Sequence, residues 1–184
     1  MPKKILGFDI SSSVIGYCLL EVDGYEITFK SCDYYKPQKS GDIFSRLFKT
    51  KEDISKIIKK LNPDYIGIED IIQFMKNQSG AKTIISLALF NRTVGLAAFE
   101  FLGKSPELFS VMSIRHGIKQ SKALPKKEEI PELVASHLGI NFPYEYKKNG
   151  FSIKTESYDM ADSVAVALYY AFCLTRKIKK KNEH

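Results

Sequence analysis

Four carboxylates have types and spacing in this chain that suggest chemistry. Asp9 and Glu69 each end a short run of apolar residues, and each run is typical of a buried strand. Asp159 and Asp162 are three residues apart at the start of a segment with helical periodicity, so they share one helix face. Carboxylates are rarely buried without a partner, because burial removes their hydration. We therefore interpret the four side chains as members of one site.

A cluster of carboxylates is self-repelling, and bound cations would stabilise it. Mg²⁺ prefers oxygen ligands and usually takes one or two carboxylates, together with waters and substrate phosphates. Two such ions, about 3.5–4 Å apart, can activate a water and stabilise the leaving oxygen of a phosphodiester. The cysteines and histidines are scattered, so no zinc cluster competes with this interpretation. An alternative for Asp159 and Asp162 is simple helix capping, because acidic groups are stable near a helix N-terminus.

The elements that position these groups can be predicted from the apolar pattern. Residues 5–10 and Tyr65–Glu69 are typical of strands buried on both faces, since apolar and polar residues do not alternate. Two more strands are predicted at 14–22 and 25–35, and a short one at 108–112. Helices are predicted at Ile43–Leu61, 79–102, 128–138 and 157–178. This order favours an α/β sandwich with a mixed sheet and right-handed crossovers. If strands 5–10 and 65–69 are neighbours, Asp9 and Glu69 meet beyond their carboxyl ends.

The segments between these elements are predicted to be loops, and the chain length favours a single domain. A basic stretch without regular structure is expected at 113–127, and a loop with a short hairpin at Asn149 and Gly150 is expected within 141–155. We predict one domain at 1–175 and a frayed basic tail at 176–184. The helix at 79–102 is so apolar that we expect it to be buried on more than one side, against the sheet or a second copy.

Composition narrows the compartment and the partner. The net charge of +7 favours an anionic partner, with nucleic acid first and acidic lipid second. The 3 cysteines form no Cys-x-x-Cys pair, which favours reducing surroundings. No signal peptide and no run of about 18 apolar residues is evident, so we expect no membrane span. A cytoplasmic or other reducing compartment that contains DNA is the expected location.

Three motifs resemble the RuvC family of Holliday junction resolvases, which has the RNase H-like fold. They are Gly7-Phe8-Asp9 with Gly16 downstream, Ile66-Gly67-Ile68-Glu69, and Asp159-Met160-Ala161-Asp162 followed by small apolar residues. The resemblance covers nearly the whole chain, from Lys4 to about Thr175. It implies an RNase H-like fold with a mixed five-stranded sheet flanked by helices. It also implies a Mg²⁺-dependent endonuclease acting on branched DNA, with two ions per site and Mn²⁺ as a possible substitute.

The same resemblance implies roles for individual residues. Asp9, Glu69, Asp159 and Asp162 would be the catalytic, metal-binding tetrad. Phe74, with Lys76 beside it, matches the family segment whose aromatic residue inserts at the junction centre, although Phe74 could equally be packed under its loop. Five basic residues would bind DNA, namely Arg115, Lys119, Lys122, Lys126 and Lys127. Which of the lysines supports the scissile phosphate stays open. The helix at 79–102 matches the family's dimerisation helix, so a homodimer is implied.

The chain departs from the family pattern after Asp9, where Ile10-Ser11 replaces a frequent Pro-Gly and changes the turn beyond the carboxylate. Three other interpretations compete with this one. An actin-like ATPase or sugar kinase would share Asp9 and the serines after it, but needs a second similar domain and lacks the helix-borne Asp-x-x-Asp. A non-catalytic nucleic-acid scaffold gains nothing from acidic residues in its groove. A related nuclease of the same fold, acting on flaps, forks or RNA–DNA hybrids, is the closest alternative.

Overall fold

The computed structural model describes residues 1–71, 80–120, 122–142, 144–147 and 150–182. Five strands form the main sheet: β1 (Lys3–Ile10), β2 (Ile15–Asp23), β3 (Glu26–Tyr35), β4 (Tyr65–Glu69) and β5 (Glu107–Phe109). Five α-helices accompany it: α1 (Ile43–Leu61), α2 (Ala81–Leu102), α3 (Val111–Ile118), α4 (Ile130–Leu138) and α5 (Thr155–Asn182). The strand order is β3-β2-β1-β4-β5, in which β1, β2 and β3 are antiparallel and β4 and β5 are parallel to β1. The predicted mixed five-stranded sheet is confirmed.

Helices cover both faces of the sheet. On one face, α3, α4 and α5 form a core with the inward side chains of β1 and β2. On the other face, α1 and α2 pack over β1 and β4. The strands at the centre of the sheet are therefore buried on both sides, as their unbroken apolar runs predicted.

The boundaries of the first four strands and of α1 agree with the predictions, and local signals explain them. Asp42 caps α1, because its carboxylate accepts hydrogen bonds from the backbone N–H groups of Phe44 and Ser45. Asn62 ends α1 in the left-handed conformation, with its backbone N–H donating to the carbonyl of Ile58. The chain then re-enters the sheet within three residues, which places β4 beside β1.

Two predictions after β4 need correction. The strand at 108–112 is shorter, at Glu107–Phe109, and Met112 belongs to α3. The stretch 113–127 is not irregular throughout, because its first part forms the helix α3. Gly117 lies within this helix, where a Cβ would lie 2.1 Å from the Tyr169 ring. The glycine is thus explained by close packing of α3 on α5.

The C-terminal third also differs in detail. The predicted hairpin within 141–155 is present as β6 (Tyr144–Lys147) and β7 (Gly150–Ile153), which pair antiparallel; Asn149 itself lies outside the described residues. Helix α5 starts earlier than predicted and continues to Asn182. The basic segment from residue 176 is therefore helical as far as it is described, and not frayed from its start. The division into a domain at 1–175 and a tail stays a prediction.

Helix α2 has one side in the core and an apolar outer side. By length and mean hydropathy alone it could cross a membrane, and 28% of its most apolar 18 residues are buried in the fold. It is not a continuous apolar run, because Lys82, Arg92 and Glu100 interrupt it. Its inner side contributes core residues, namely Phe90, Val94, Ala97 and Ala98. Its outer side bears a stripe at helical spacing, which we call the α2 stripe: Ile85, Leu89, Arg92, Leu96 and Phe99. A buried inner side and an apolar outer side are typical of a core helix that also meets a partner.

Candidate active site

The sheet itself brings the first two carboxylates together. In the parallel pairing of β1 with β4, Phe8 lies opposite Ile68, so Asp9 and Glu69 follow side by side at the carboxyl ends of the strands. Both side chains are partly buried. The prediction that the two strands are neighbours, and that their carboxylates meet, is therefore confirmed.

Helix α5 brings the second pair of carboxylates to the same edge, and two glycines make its close approach possible. A Cβ on Gly16, which pairs with Asp9 in the sheet, would lie 2.1 Å from the backbone oxygen of Asp159. A Cβ on Gly7 would lie 2.6 Å from the backbone oxygen of Ser163. No other residue type fits at these contacts without moving the helix. The glycines of the first motif are thus required to place Asp159 and Asp162 near Asp9.

The position of the acidic pair in α5 excludes the capping interpretation. The helix begins at Thr155, so Asp159 and Asp162 lie beyond its first turn, in which the acidic residue is Glu156. Glu156 instead pairs with Lys36 at the end of β3, at 2.7 Å, and fixes the start of the helix against the sheet. The pair therefore does not serve as a helix cap, and its proximity to Asp9 needs a different explanation.

A cleft of about 200 Å³ opens where these elements meet. Among the residues that line it are three of the carboxylates, Asp9, Glu69 and Asp162, and two cations, Arg115 and Lys127. Lys127 Nζ lies 3.3 Å from Asp162 Oδ2, and both groups keep some contact with solvent. Asp159 is next to the cleft and interacts electrostatically with Asp162 and Lys127. The structure thus brings the predicted tetrad together with two of the predicted basic residues.

The pKa values of all four carboxylates are raised, because their ionised forms are buried close to one another. Burial, with the nearby charge of Glu69 added to it, raises the pKa of Asp9 well above its ordinary value. Burial and the charge of Asp162 raise the pKa of Glu69 to about 7, although Lys127 acts in the opposite direction. The pKa values of Asp159 and Asp162 are also raised, chiefly by burial.

Lys127 is drawn into this negative field. Burial opposes its charge, but the attraction of Asp162 and Asp9 outweighs burial and raises its pKa. Four carboxylates against two cations leave the site short of positive charge. A site with this imbalance favours further cations.

The donor set fits hard divalent ions. Within the described part of the chain, no three His, Cys, Asp or Glu side chains converge tightly enough to hold an ion by themselves. Mg²⁺ does not require such a cage, because it keeps waters and substrate phosphates alongside one or two carboxylates. Partly buried carboxylates with raised pKa values and few compensating cations are the donors that such an ion would neutralise.

The other predicted DNA-binding residues are distributed differently. Lys119 lines a separate, larger groove of about 440 Å³ beside α4, and its Nζ donates to the backbone oxygen of Lys122 at 3.4 Å. That groove contains none of the tetrad, so its size alone does not mark the site of chemistry. Lys126 precedes the 3-10 turn Lys127–Glu129, and its backbone N–H donates to Glu129 Oε2 at 2.7 Å. Phe74 and Lys76 lie outside the described residues.

The structure shows which of the candidate lysines lies beside the carboxylates. Among Lys119, Lys122, Lys126 and Lys127, only Lys127 lines the carboxylate cleft in the part of the chain that the structure describes. The 3-10 turn at the start of α4 aims it there. The sequence alone could not identify Lys127, because the course of the chain through α3 and the loop after it was not predictable.

Sequence reasoning missed three polar residues that surround the site. Asn91 Nδ2 donates to the backbone oxygen of Glu69 at 2.9 Å, and Arg92 pairs with Asp70 at 3.0 Å. Arg46 Nη2 donates to the backbone oxygen of Ser12 at 3.2 Å, in the turn after Asp9. An asparagine and an arginine inside an otherwise apolar helix were the available signal, because a buried polar group requires a partner.

The turn after Asp9, where the chain departs from the frequent Pro-Gly, is closed by Ser11. Its Oγ accepts from the backbone N–H of Val14 at 2.9 Å and donates to the Val14 carbonyl at 2.8 Å. This side-chain turn takes the place of a proline-fixed one. Asp9 remains at the end of β1, so the departure leaves the carboxylate in position.

Comparison with known proteins agrees with the fold and with the motifs. The profile of the family described as Crossover junction endodeoxyribonuclease RuvC matches residues 5–170. The protein of that name from Fusobacterium nucleatum is 25% identical over 180 residues, which is 95% of this chain and 83% of the relative. That from Clostridioides difficile is 28% identical over 169 residues, covering 91% of this chain and 89% of the relative.

Solved structures show the same fold. The structure of T. thermophilus RuvC in complex with Holliday junction substrate aligns with a TM-score of 0.73 and 19% identity, covering 95% of this chain and 96% of the other. The yeast mitochondrial Holliday junction resolvase Ydc2 aligns with a TM-score of 0.66 and 14% identity, covering 96% of this chain and 80% of the other. The predicted RNase H-like architecture is confirmed. The family profile matches residues 5–170, a span that includes the strands and the helix carrying the four carboxylates. This chain therefore belongs to the RuvC family.

Proposed function

We propose that this protein is a structure-selective endonuclease that resolves four-way (Holliday) DNA junctions by paired hydrolysis of phosphodiester bonds. The observation that carries the proposal is the convergence of Asp9, Glu69 and Asp162 in one cleft, with Asp159 beside it, in a chain of the RuvC family. Relatives of that family are named crossover junction endodeoxyribonucleases. The net charge of +7 supports a nucleic-acid partner.

The tetrad would hold Mg²⁺, with two ions per site and Mn²⁺ as a substitute. Bound metal would supply Lewis acidity at the scissile phosphate. The carboxylates Asp9, Glu69, Asp159 and Asp162 would bind and place the cations. The pKa values of Asp9 and Glu69 are raised the most, so cation binding is expected to displace protons from these two groups.

Lys127 and Arg115 would hold the DNA strand. Both line the cleft beside the carboxylates, and Lys127 pairs with Asp162 at 3.3 Å in the absence of substrate. A lysine in this position is a point charge that stabilises negative charge developing on the phosphate. Lys119, Lys122 and Lys126 would extend the phosphate-binding surface away from the cleft. The roles of Phe74 as a junction wedge and of Lys76 beside it stay predictions.

A homodimer would give the two active sites that paired cleavage needs. The α2 stripe leaves large apolar side chains exposed, including Leu96 at 57% and Ile85 at 60%. Its spacing of alternately four and three residues is that of a helix seam that packs against another helix. A two-fold axis through this seam would make the same surface meet itself. The resemblance of α2 to the helix that the RuvC family uses for dimerisation supports this assembly.

A charge in the α2 stripe is expected to separate the protomers. Leu96→Glu would bury an unpaired carboxylate in the seam, at a cost of several kcal/mol, and should convert dimer to monomer in analytical ultracentrifugation. Lys59→Glu, which adds a carboxylate on the exposed outer side of α1, is the matched control and should stay dimeric. A Leu96→Glu protein that sediments as the wild type does would remove the α2 stripe from the interface.

The closest alternative is a nuclease of the same fold that acts on flaps, forks or other branched DNA. Its tetrad would be the same, so only substrate preference separates the two proposals. We expect cleavage of a synthetic four-way junction to exceed cleavage of a flap and of plain duplex when all three are assayed side by side with Mg²⁺. A stronger cut on the flap would select the alternative, and equal cutting of duplex would reject junction selectivity.

The protein should act in a reducing compartment that contains DNA, such as the bacterial cytoplasm. Cys18, Cys32 and Cys173 are all free thiols in the structure, which suits such a compartment. No role for lipid follows from the proposed activity, and the apolar stripe of α2 is assigned to the second protomer.

A further inference from the structure

Two adjacent residues of α2 hold the backbone that carries Glu69. Asn91 is 2% exposed, and its side-chain Nδ2 donates to the backbone oxygen of Glu69 at 2.9 Å. Arg92 reaches the next residue, because its Nη2 lies 3.0 Å from Asp70 Oδ1. Glu69 ends β4 and has no further parallel strand pairing beyond Phe109, so these contacts take over where the ladder stops.

The two residues are also linked to each other. Arg92 Nη1 donates to Asn91 Oδ1 at 3.0 Å, which fixes the orientation of the amide. The contacts therefore close a ring from the Glu69 carbonyl through Asn91 and Arg92 to the Asp70 carboxylate. We call these contacts the Asn91–Arg92 bracket. Asp70 Oδ1 also accepts the backbone N–H of Ile71 at 2.9 Å, and the Asp70 N–H donates to the Phe109 carbonyl at 2.8 Å.

The bracket lies at the cleft and not in a remote part of the fold. A small cavity of about 60 Å³ is lined by Asp9, Glu69, Asp70 and Asn91 together with apolar neighbours. Asn91 thus faces the two strand-borne carboxylates from the side of the sheet opposite α5. A buried amide that bonds the backbone of one ligand restricts the direction in which that ligand's carboxylate can point.

A second contact of the same helix turn supports this view. The ring of Phe90, the residue before Asn91, lies under the Arg46 guanidinium, with 5.1 Å between the guanidinium carbon and the ring centroid. Arg46 in turn donates to the backbone oxygen of Ser12, in the turn after Asp9. One turn of α2 is therefore connected to the chain just beyond both Asp9 and Glu69.

We infer that Asn91 and Arg92 are positioning residues that hold Glu69 in the orientation required for binding a divalent cation. The inference rests on the proposed function, because it assigns the two residues to the same site. In this role they act through the backbone of Glu69 and the side chain of Asp70. A role confined to stability would leave the metal affinity of the folded protein unchanged.

The test is a titration of the DNA-free protein with Mn²⁺ alone, in which calorimetry measures the binding affinity. Asn91→Leu keeps the branching of the side chain, removes the donor to Glu69, and has the small cavity beside it for the added volume. We expect Mn²⁺ affinity to fall by about tenfold, the range in which residues behind a metal ligand act. Arg92→Leu should also weaken binding, and Arg92→Lys should recover part of the loss by keeping the charge beside Asp70.

The control is Glu100→Gln, which breaks the ion pair of α2 with Lys51, 2.8 Å long, at a distance from the bracket. It should bind Mn²⁺ as the wild type does. If Asn91→Leu fails to fold, Arg92→Leu decides, because that side chain is 52% exposed within the protomer. Arg92 also belongs to the α2 stripe, so Leu96→Glu, which changes the stripe without touching the bracket, is the second control and should bind Mn²⁺ as the wild type does. Affinities within about twofold of wild type in the folded variants would overturn the inference.

A junction-cleavage assay of the same proteins distinguishes failure of the proposed function from failure of the positioning role. If the wild type binds Mn²⁺, the variants bind it weakly and none cuts junctions, the proposed function fails while the positioning role stands. If the wild type cuts junctions and the variants bind Mn²⁺ normally, the positioning role fails and the function stands.

Discussion

Replacing Asp9 by asparagine is expected to abolish junction cleavage while leaving junction binding intact or tighter. Asp9 stands at the centre of the acidic cluster, with Glu69, Asp162 and Asp159 all raising its pKa. Loss of its charge removes a metal ligand, and metal ions contribute several kcal/mol to stabilising the transition state, so we expect a loss on the order of 1,000-fold. Binding should hold, because one fewer negative charge faces the phosphates. Single-turnover cleavage and gel-shift titration in chelator measure the two properties.

Asp23→Asn is the matched control for this substitution. It makes the same change on an exposed residue at the end of β2. Asp23 follows Val22, which pairs with Lys3, so it lies at the opposite end of β1 from Asp9. This variant should cut junctions as the wild type does. An Asp9→Asn protein that retains cleavage would remove Asp9 from the site, and one that loses junction binding in chelator would show that the change disturbs more than the metal.

Replacing Glu69 by glutamine is expected to stabilise the metal-free protein at alkaline pH. The pKa of Glu69 is raised to about 7 from an ordinary value of 4.5, chiefly by burial and then by the charge of Asp162. Keeping this group ionised therefore opposes folding, by an amount of up to roughly 3 kcal/mol above pH 7. The free energy of unfolding, measured by urea at pH 8 in chelator, should rise by about that amount in Glu69→Gln.

The pH dependence of this effect has a definite sign. Between the unfolded value of 4.5 and the folded value of about 7, the folded protein binds more protons at Glu69 than the unfolded chain does. The contribution of Glu69 to stability is therefore most favourable below the unfolded value and is lost as the pH rises towards 7. The gain in Glu69→Gln should accordingly be small near pH 4.5 and reach its full size above pH 7.

Metal should reverse the order of stability. Mg²⁺ should stabilise the wild type at pH 8, since a ligand that binds the folded state shifts the unfolding equilibrium. Glu69→Gln should gain much less, and it should not cut junctions. Glu132→Gln, on the exposed side of α4, serves as the control and should behave as the wild type does in both conditions. A Glu69→Gln protein that is less stable than the wild type at pH 8 in chelator would contradict the electrostatic account of the cleft.

The parts of the site that sequence could predict are those that local pattern specifies. Unbroken apolar runs located β1 and β4, and the rule that sites form beyond the ends of parallel strands placed Asp9 beside Glu69. The periodicity of α5 placed Asp159 and Asp162 on one face. The glycines of the first motif were visible, but the reason for Gly16 was not, because it lies in a contact with the backbone of Asp159, more than a hundred residues away.

The remaining parts depend on tertiary contacts without a local signature. Helix α3 was predicted as part of an irregular basic stretch, and the packing of its Gly117 against Tyr169 has no signature in the local sequence. The choice of Lys127 over its neighbours depends on the path of the chain between α3 and α4. Phe44 and Phe48 fit the helical period of α1 yet are 79% and 65% exposed, because the apolar stripe of that helix is wider than the surface it covers. Periodicity identifies a face but not its partner.

We propose that the acidic cleft cuts two opposing strands of a four-way junction with the help of divalent metal. The most direct measurement maps the incisions that the wild-type protein makes in a four-way junction with each strand labelled in turn, with Mg²⁺ and with chelator. We predict two incisions at symmetry-related positions on opposing strands, which depend on Mg²⁺ and vanish in chelator. Cutting that persists in chelator, or incisions spread equally over the arms, would contradict the account.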